Sequence, residues 1–313
     1  MKKVLLSSLL LVFVCKAKAQ YNNKHLTIPK SSQMEAEDKY TYGHLRIYPI
    51  IASDVFLKQH ANLGEYSSLD EAIDAGDLKV IETGKISKVH IKNSGQDTVF
   101  VMAGEVIKGG NNDRLIAKDI LVWPEQEVEV PTYCVEQGRW NAKENRSDFF
   151  HEPFYASCKK VLKAALIEEN QSRVWEEVDQ VMANSLSKSS TKAYSGLAEA
   201  SQFQAEMDEY FDVFQGAWSE NEQVVGIVAV TGDRVIGCDI FANHQLFEKS
   251  YEKLLHAYVT DAITSGGKIV ITFPLVNKYL NDFLAEEKKL EKRLKHDGKV
   301  FKHNGMKVHV VRF

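Results

Sequence analysis

The chain contains 313 residues, of which 44% are hydrophobic and 26% are charged, and its formal net charge is −4. This composition is typical of a globular protein, and it excludes a disordered chain, a collagen and a coiled-coil rod. The slightly acidic balance gives no reason to expect nucleic acid as a partner. Four cysteines are too few for a small disulfide-bonded scaffold.

Residues 1–19 have the features of a secretory signal peptide. Lys2 and Lys3 precede the uncharged apolar run 4–14, and Ala17-Lys18-Ala19 places small residues where a signal peptidase reads. We therefore expect cleavage after Ala19 and a periplasmic or extracellular protein. A membrane anchor is disfavoured because a span needs about 20 apolar residues. No later run reaches that length, so we expect no stable membrane span and a soluble mature protein.

The cysteines leave two questions open at this stage. Cys15 suggests a lipoprotein, but the bulky Val14 before it disfavours that alternative. Export would place Cys134, Cys158 and Cys238 in an oxidising compartment. Because three is an odd number, at least one of them is free or paired between chains. The sequence does not indicate which pair, if any, forms a disulfide.

Residues 20–44 are polar and lack periodicity, which predicts a loose leader before a β-rich region at 45–146. Ser68 and Glu71 form a capping-box pattern that predicts a short helix over 69–75. Runs of β-branched and alternating apolar residues predict strands at 45–51, 79–83, 86–92, 98–103, 115–123 and 127–135. This half of the chain therefore predicts a mixed or antiparallel sheet.

Residues 147–313 form a helical and α+β region in the same interpretation. Amphipathic patterns predict helices in 158–185 and around 203–214, and later in 243–264 and 275–295. Hairpins are predicted over 224–241 and 300–313, with a single strand at 268–272. The order predicts an α+β fold with a β-rich N-terminal region, central amphipathic helices and a C-terminal α/β portion with hairpins. One continuous domain over 45–313 is the alternative to two regions.

Most familiar chemical motifs are absent from the sequence. It contains no phosphate-binding Gly-x-x-x-x-Gly-Lys-Ser/Thr loop, no Gly-x-Gly-x-x-Gly turn and no Gly-x-Ser-x-Gly elbow. His-Glu-x-x-His and Cys-x-x-Cys are also missing, so we expect neither a metal nor a cofactor. His303 and His309 in the last hairpin are interpreted as surface residues.

Two polar clusters, each attached to the end of a predicted strand, are the least generic feature of the sequence. The first follows the strand 98–103 and includes Glu105, Gly109-Gly110 and residues 111–114. The second, at 134–140, follows the strand 127–135. If 115–123 and 127–135 pair in antiparallel fashion, the two clusters lie at the same end of the sheet. We therefore expect them to form one water-accessible site.

The residue types in these clusters suit an anionic ligand. Arginine side chains grip phosphate or carboxylate oxygens, an indole offers a flat face, and carboxylates serve in acid–base chemistry. A thiol acts as a nucleophile only when its thiolate is stabilised. The expected catalytic residues are Glu105, Glu136 and Cys134, and the expected ligand-binding residues are Asn112, Asp113, Arg114, Gln137, Arg139 and Trp140.

The same segments give the chain a family resemblance. The most specific is Cys134-Val135-Glu136-Gln137-Gly138-Arg139-Trp140, and weaker matches are Ser68–Ala72 and Ala103-Gly104-Glu105. Through these matches, the chain resembles the ARG and rhodanese-phosphatase-superfamily-associated domain family over about residues 45–265. The resemblance implies an α+β domain whose genomic company includes ADP-ribosylglycohydrolases. It thereby implies a role around NAD-derived or ADP-ribosylated compounds, an associational inference.

Three hypotheses of function follow. The first is an exported protein that binds or processes an anionic small molecule, with a nucleotide or ADP-ribose-like compound as the first choice. The second is a non-catalytic exported binding or interaction module in which the glutamate–arginine cluster is structural. The third is a thiol-dependent function through Cys134. The sequence leaves the reaction and the oligomeric state open.

Overall fold

A computed structural model of the chain describes residues 21–31, 39–61, 63–139, 149–187 and 189–313. Helices and strands both contribute large parts of these residues, which confirms the α+β fold. Among them, no helix is both long and apolar enough to cross a membrane. The first elements are β1 (Leu26–Thr27), β2 (Thr41–Tyr42), β3 (Leu45–Ala52), α1 (Asp54–His60), β4 (Ser67–Ser68) and α2 (Leu69–Asp74).

The capping box at the start of α2 forms as the sequence predicts. The Ser68 side chain accepts a hydrogen bond from the Glu71 backbone N–H, and the Glu71 carboxylate accepts one from the Ser68 backbone N–H. Two of the backbone donors at the helix start are thereby satisfied. This local bonding fixes Asp70 and Glu71 in the first turn, and both residues reappear in the candidate site.

The following residues form a closed antiparallel barrel. Its strands are β5 (Leu78–Glu82), β6 (Lys88–Asn93), β8 (Glu105–Gly109), β9 (Arg114–Ile116), β11 (Glu127–Cys134) and β12 (Phe149–Ala156). They are hydrogen-bonded in the order β11-β6-β5-β12-β8-β9, and β9 closes the ring against β11. The interior is an apolar cluster that includes Val80, Val89, Ile91, Ile107 and Val130. Closure leaves no open edge in this part of the sheet.

The single strand predicted at 115–123 is wrong, because the structure divides it. Residues after β9 leave the barrel, and β10 (Ile120–Val122) joins β7 (Val99–Val101) and β4 in a separate three-stranded sheet. The break contains Asp119, whose carboxylate accepts a hydrogen bond of 2.7 Å from the Ala103 backbone N–H. This buried polar contact turns the chain away from the barrel between the two strands.

The central segment is helical, as expected, but the pattern over 158–185 forms two helices. They are α3 (Lys159–Leu166) and α4 (Gln171–Asn184), followed by a 3-10 helix (Tyr194–Glu199) and α5 (Ser201–Phe214). Asn170 separates the first two because its side chain accepts hydrogen bonds from the first backbone N–H groups of α4. The predicted apolar face of α4 is buried at Val174, Val178, Val181 and Met182.

The C-terminal part builds a seven-stranded sheet. Its elements are β13 (Val224–Thr231), β14 (Arg234–Phe241), α6 (His244–Ser265), α7 (Phe273–Leu284), α8 (Glu287–Leu294), β15 (Gly298–His303) and β16 (Met306–Arg312). Both predicted hairpins form. The strand predicted at 268–272 does not, because the backbone N–H groups of Val270 and Ile271 bond to the Gly232 turn instead of to a strand.

Residues from the start of the chain complete this sheet, whose order is β1-β3-β13-β14-β16-β15, with β2 also on β3. Thus β3, from the predicted β-rich region, pairs with β13, from the second region. Tyr21 and Leu26, within the expected loose leader, are fully buried in the main core. Helix α6 packs along this sheet, and most of its residues are buried.

Candidate functional site

The structure brings residues 112–114 together with residues 134–139, as the strand geometry predicts. Strands β9 and β11 pair so that Arg114 lies opposite Cys134. The backbone N–H of Asp113 donates to the Glu136 carboxylate at 2.9 Å, and the backbone N–H of Val135 donates to the Asp113 carbonyl. We call Asn112, Asp113, Arg114, Cys134, Glu136 and Arg139 the glutamate–arginine cluster.

Arg139 is the centre of this cluster, and its guanidinium is already occupied. Its Nε lies 3.0 Å from both Glu136 carboxylate oxygens, and its Nη2 lies 2.7 Å from Glu136 Oε2 and 2.9 Å from Asp113 Oδ1. It also donates to the carbonyls of Gly109 and Gly110 at 3.1 Å. Only 19% of the side chain is exposed. The donors expected to hold an external anion are thus used inside the protein.

The two carboxylates of the cluster have opposite pKa shifts. Burial, together with the neighbouring Glu136 charge, raises the pKa of Asp113. Burial alone would raise the pKa of Glu136 as well, but hydrogen bonds from Arg139, Thr191 and the Asp113 backbone, with the Arg139 charge, together outweigh burial and lower it. Asp113 also accepts a hydrogen bond from the Ser195 hydroxyl, which ties the cluster to the 3-10 helix. Glu136 is therefore the carboxylate that pairs most firmly with the arginine.

Arg114 is completely buried and also has internal partners. Its Nη1 donates to the Asn112 carbonyl at 2.8 Å, and its Nη2 lies 3.3 Å from the Glu82 carboxylate. The same carboxylate accepts a hydrogen bond from the Asn111 backbone N–H. Burial lowers the pKa of Arg114. A guanidinium that is fully buried and bonded to internal partners is not accessible to a dissolved ligand.

Cys134 lies beneath the cluster as a buried thiol. It is fully buried, and its Sγ donates to the Glu136 carbonyl at 2.8 Å. The Asn112 amide contacts this sulfur and donates to the same carbonyl at 3.0 Å. Burial raises the pKa of the Cys134 thiol, which does not favour a reactive thiolate. Cys158 and Cys238 are also free and buried, so none of the three thiols is bridged.

Gln137 and Trp140 are the two remaining residues that were expected to bind a ligand. Gln137 is half-buried between Glu136 and Arg139 in the chain. Trp140 lies outside the described residues. Their roles in ligand binding remain predictions.

The structure places Glu105 apart from the glutamate–arginine cluster. It is the first residue of β8, whereas Gly109, which contacts Arg139, is the last, so about 13 Å of strand separates them. Glu105 is 1% exposed; it accepts hydrogen bonds from the Met102 backbone N–H at 2.7 Å and from Lys253 at 2.5 Å. Burial raises its pKa even though Lys253 acts in the opposite direction.

Lys253, on α6, is the residue that the sequence interpretation missed. Its ammonium group lies 2.5 Å from Glu105 and 2.5 Å from Asp70, which belongs to α2. Burial would lower the pKa of Lys253, but the two carboxylates outweigh burial and raise it. Lys253 is therefore a charged group and not a neutral nucleophile. The feature of the sequence that could have identified Lys253 is its position on the buried side of a long helix.

Asp70 and Lys253 line a cleft, and Glu105 lies behind Lys253; we call Asp70, Glu105 and Lys253 the triad. The cleft has a volume of about 630 Å³ and lies between α2, α6, β8, β12 and the 3-10 helix. Its lining residues are Ser68, Asp70, Glu71, Asp74, Lys108, Pro153, Tyr155, Ala198, Glu248, Lys249, Glu252 and Lys253. The lining therefore contains three lysines, five carboxylates and one aromatic ring. Two weak family motifs, Ser68–Ala72 and Ala103–Glu105, contribute to the cleft or to the triad behind it.

Tyr155 and Lys249 have defined positions in this cleft. The Tyr155 ring stacks on the buried His256 ring, with centroids 4.3 Å apart and planes at 12°. Lys249 forms an ion pair of 2.8 Å with Glu71, so α6 and α2 are connected across the cleft. Burial lowers the pKa of His256 to about 3, so this ring is neutral. The arrangement provides a flat aromatic face next to both ammonium and carboxylate groups.

A third charged group is buried between the barrel and the large sheet, away from the cleft lining. His309 was expected at the surface but is only 2% exposed. Its Nδ1 lies 2.8 Å from Asp119 and its Nε2 3.3 Å from Asp239. Lys159 forms an ion pair of 2.7 Å with Asp239, and the Tyr258 hydroxyl donates to it. We call these residues the buried His309 network.

Burial would lower the pKa of His309, but Asp119 and Asp239 outweigh burial and raise it to about 9. Burial would likewise raise the pKa of Asp239, whereas Lys159 and His309 lower it to about 2. His309 is therefore protonated and Asp239 ionised at neutral pH. Because Asp119 comes from the β9–β10 connection and His309 from β16, the network joins the barrel to the large sheet.

The fold and the site define an α+β protein whose barrel carries a closed glutamate–arginine cluster near one end of β8 and a charged cleft near the other. The family model of the ARG and Rhodanese-Phosphatase-superfamily-associated Protein domain matches residues 33–307. The chain belongs to this family, and the match extends beyond the 45–265 indicated by the motifs. No curated protein and no solved structure matches the chain.

Within the described part of the chain, no group of three or more histidine, cysteine, aspartate or glutamate residues is arranged to hold a metal ion. The cleft lining offers ammonium and carboxylate groups, hydrogen-bonding atoms and an aromatic ring. Acid–base chemistry would depend on Asp70 and on Glu105 behind Lys253.

Proposed function

We propose that the protein binds a small molecule that carries phosphate and several hydroxyl groups, of the ADP-ribose type, in the cleft beside Lys253. The observation that carries this proposal is the lining of the cleft, where lysines, carboxylates and the Tyr155 ring border the same volume of about 630 Å³. This volume is within the usual range for small-molecule sites. The membership of the family supports the choice of ligand only by association.

Each part of the lining matches one part of such a ligand. Lys108, Lys249 and Lys253 place positive charge in the lining. Lys249, whose ion pair with Glu71 is partly exposed, is the lysine that can exchange its partner for a phosphate oxygen. Carboxylates such as Asp74 accept hydrogen bonds from sugar hydroxyls, as acidic residues do for ribose in dinucleotide sites. Tyr155 presents a face on which a base can stack.

The net charge of the cleft lining determines which phosphorylated ligands we expect to bind. Five carboxylates against three lysines make the cleft acidic overall, so a highly charged anion without a sugar is repelled. A diphosphate with two sugars carries less charge for its size and donates many hydrogen bonds. We therefore expect ADP-ribose to bind more tightly than ATP, and inorganic phosphate to bind weakly.

The closed geometry of Arg139 favours a structural role for the glutamate–arginine cluster. The proposal therefore agrees with the second hypothesis on one point, namely that the glutamate–arginine cluster is structural. Glu105 is the one expected catalytic residue in contact with a residue of the cleft, through Lys253. Binding is accordingly proposed first, and processing would require the acid–base pair of Glu105 and Asp70.

Calorimetric titration with ADP-ribose, NAD, ATP and inorganic phosphate tests the proposal. Lys249→Ala is expected to weaken ADP-ribose binding at least tenfold, whereas the control Lys278→Ala, at an exposed lysine of α7, leaves it unchanged. Arg139→Ala is expected to lower the melting temperature without changing the affinity measured for folded protein. Failure of every nucleotide to bind at millimolar concentration would reject the proposal in favour of the interaction module.

We also propose that the protein is exported, on the basis of the signal-peptide features of residues 1–19. Cell fractionation followed by N-terminal sequencing tests this separately. We expect the processed chain to begin at Gln20 and to be recovered outside the cytoplasm. Recovery of cytoplasmic protein that still begins at Met1 would contradict it.

A further inference from the structure

A second and smaller pocket shares Glu248 and Glu252 with the cleft. It has a volume of about 120 Å³ and lies between α6 and the end of α5. Trp218, Phe247 and Tyr251 also line it. This volume is about a fifth of that of the cleft, so a whole nucleotide does not fit in the pocket.

Three aromatic rings form the apolar part of the pocket. Trp218 and Tyr251 are edge to face, with centroids 5.1 Å apart and planes at 90°, and the centroids of Phe247 and Tyr251 are 5.4 Å apart. The Tyr251 hydroxyl donates to the Phe214 carbonyl at 3.0 Å, which holds the ring in place. Clustered aromatic rings attract cations through the negative potential of their faces.

Two carboxylates supply a matching charge. Glu248 and Glu252 are one helical turn apart on α6, and both are exposed. The lysines that follow them in the chain are used elsewhere, because Lys249 pairs with Glu71 and Lys253 pairs with Asp70 and Glu105. The negative charge at this pocket is therefore not cancelled by its nearest lysines.

The Trp218 indole adds an independent indication of a ligand. Its side chain is 4% exposed, it lines the pocket, and its Nε1 has no hydrogen-bond partner among the described residues. A buried donor without a partner is unfavourable. An oxygen atom on a bound molecule would satisfy it.

We propose that this pocket binds a small organic ammonium ion of the choline type, with methylated nitrogen and a nearby hydroxyl oxygen. The rings would contact the methyl groups, the two glutamates would balance the charge, and Trp218 would donate to the oxygen. A bare metal cation is disfavoured, since it would exchange its water shell for aromatic carbon. The pocket shares Glu248 and Glu252 with the cleft, but the proposal does not require a nucleotide to bind there.

Tryptophan fluorescence and calorimetry of the full protein with choline test the proposal. The uncharged analogue 3,3-dimethylbutan-1-ol has the same shape, and we expect choline to bind at least tenfold more tightly. Glu248→Gln combined with Glu252→Gln is expected to weaken choline binding at least fivefold. Trp218→Phe is expected to remove most of the fluorescence response, whereas Trp123→Phe, at an exposed indole, should not.

The matched control removes two exposed carboxylates from the barrel, by Glu127→Gln combined with Glu129→Gln, and should leave choline binding unchanged. Equal binding of choline and its uncharged analogue would overturn the proposal, as would an equal loss in both double variants. Binding to phosphatidylcholine vesicles without binding to free choline would overturn it in favour of a lipid surface. Because the double variants change exposed residues, failure to fold is not expected to obscure the result.

Discussion

Replacement of His309 by glutamine tests the physical role of the buried His309 network. The folded-state pKa of His309 is raised from 6.5 to about 9 by Asp119 and Asp239, which outweigh burial. A raised histidine pKa stabilises the folded protein below the unfolded pKa, and that contribution is lost as the pH rises through the folded pKa. The difference between the folded-state and unfolded-state pKa of His309 corresponds to about 3 kcal/mol of folding free energy, because one pKa unit is about 1.4 kcal/mol.

We therefore expect the free energy of unfolding of the native protein to fall by most of that amount between pH 6 and pH 9. Urea unfolding at constant ionic strength measures it. In His309→Gln the same interval should show a smaller loss, so the two curves converge as pH rises. Buried thiols contribute to a decrease at alkaline pH in both proteins, so the difference between the curves is the relevant quantity. Parallel curves over this interval would refute the assigned role of His309.

Three further predictions concern the glutamate–arginine cluster and its turn. Arg139→Ala should destabilise the protein by about 3 kcal/mol in urea unfolding, since buried carboxylates lose their partner, while Arg173→Ala, at an exposed arginine, should leave the midpoint unchanged. Cys134 should resist iodoacetamide in the folded protein and react after unfolding; rapid native labelling would show that the thiol is accessible. Gly110→Ala should cost about 2–4 kcal/mol, because its φ is +55° and a Cβ would meet neighbouring atoms at 2.6 Å. Gly232→Ala, with φ +54° and open space, should cost only about 1–2 kcal/mol, and equal losses would contradict the steric explanation.

Local signals in the sequence predicted much of the secondary structure. The capping box of Ser68 and Glu71 and the hairpin over 224–241 depend on residues close in the chain, and both form. The division of 115–123 was not predictable in this way. It depends on Asp119, whose partners Ala103 and His309 lie 16 and 190 residues away. Such long-range contacts leave no periodic pattern.

The candidate site was predicted in part for the same reason. Antiparallel pairing correctly placed residues 112–114 beside 134–139, since register follows from alternation and strand ends. Access to solvent did not follow, because the carboxylates that occupy Arg139 come from both clusters at once. Lys253 was missed because its partners Glu105 and Asp70 lie 148 and 183 residues away.

The pairing of β3 with β13 has a consequence for synthesis of the chain. Residues 45–52 form this strand, and the neighbour on one side, residues 224–231, is made more than a hundred residues later. Every strand of the barrel is synthesised before β13. During this time, one edge of β3 has no partner strand. A nascent or truncated chain that ends before residue 224 therefore presents an apolar strand edge, and we expect it to depend on a chaperone or to aggregate.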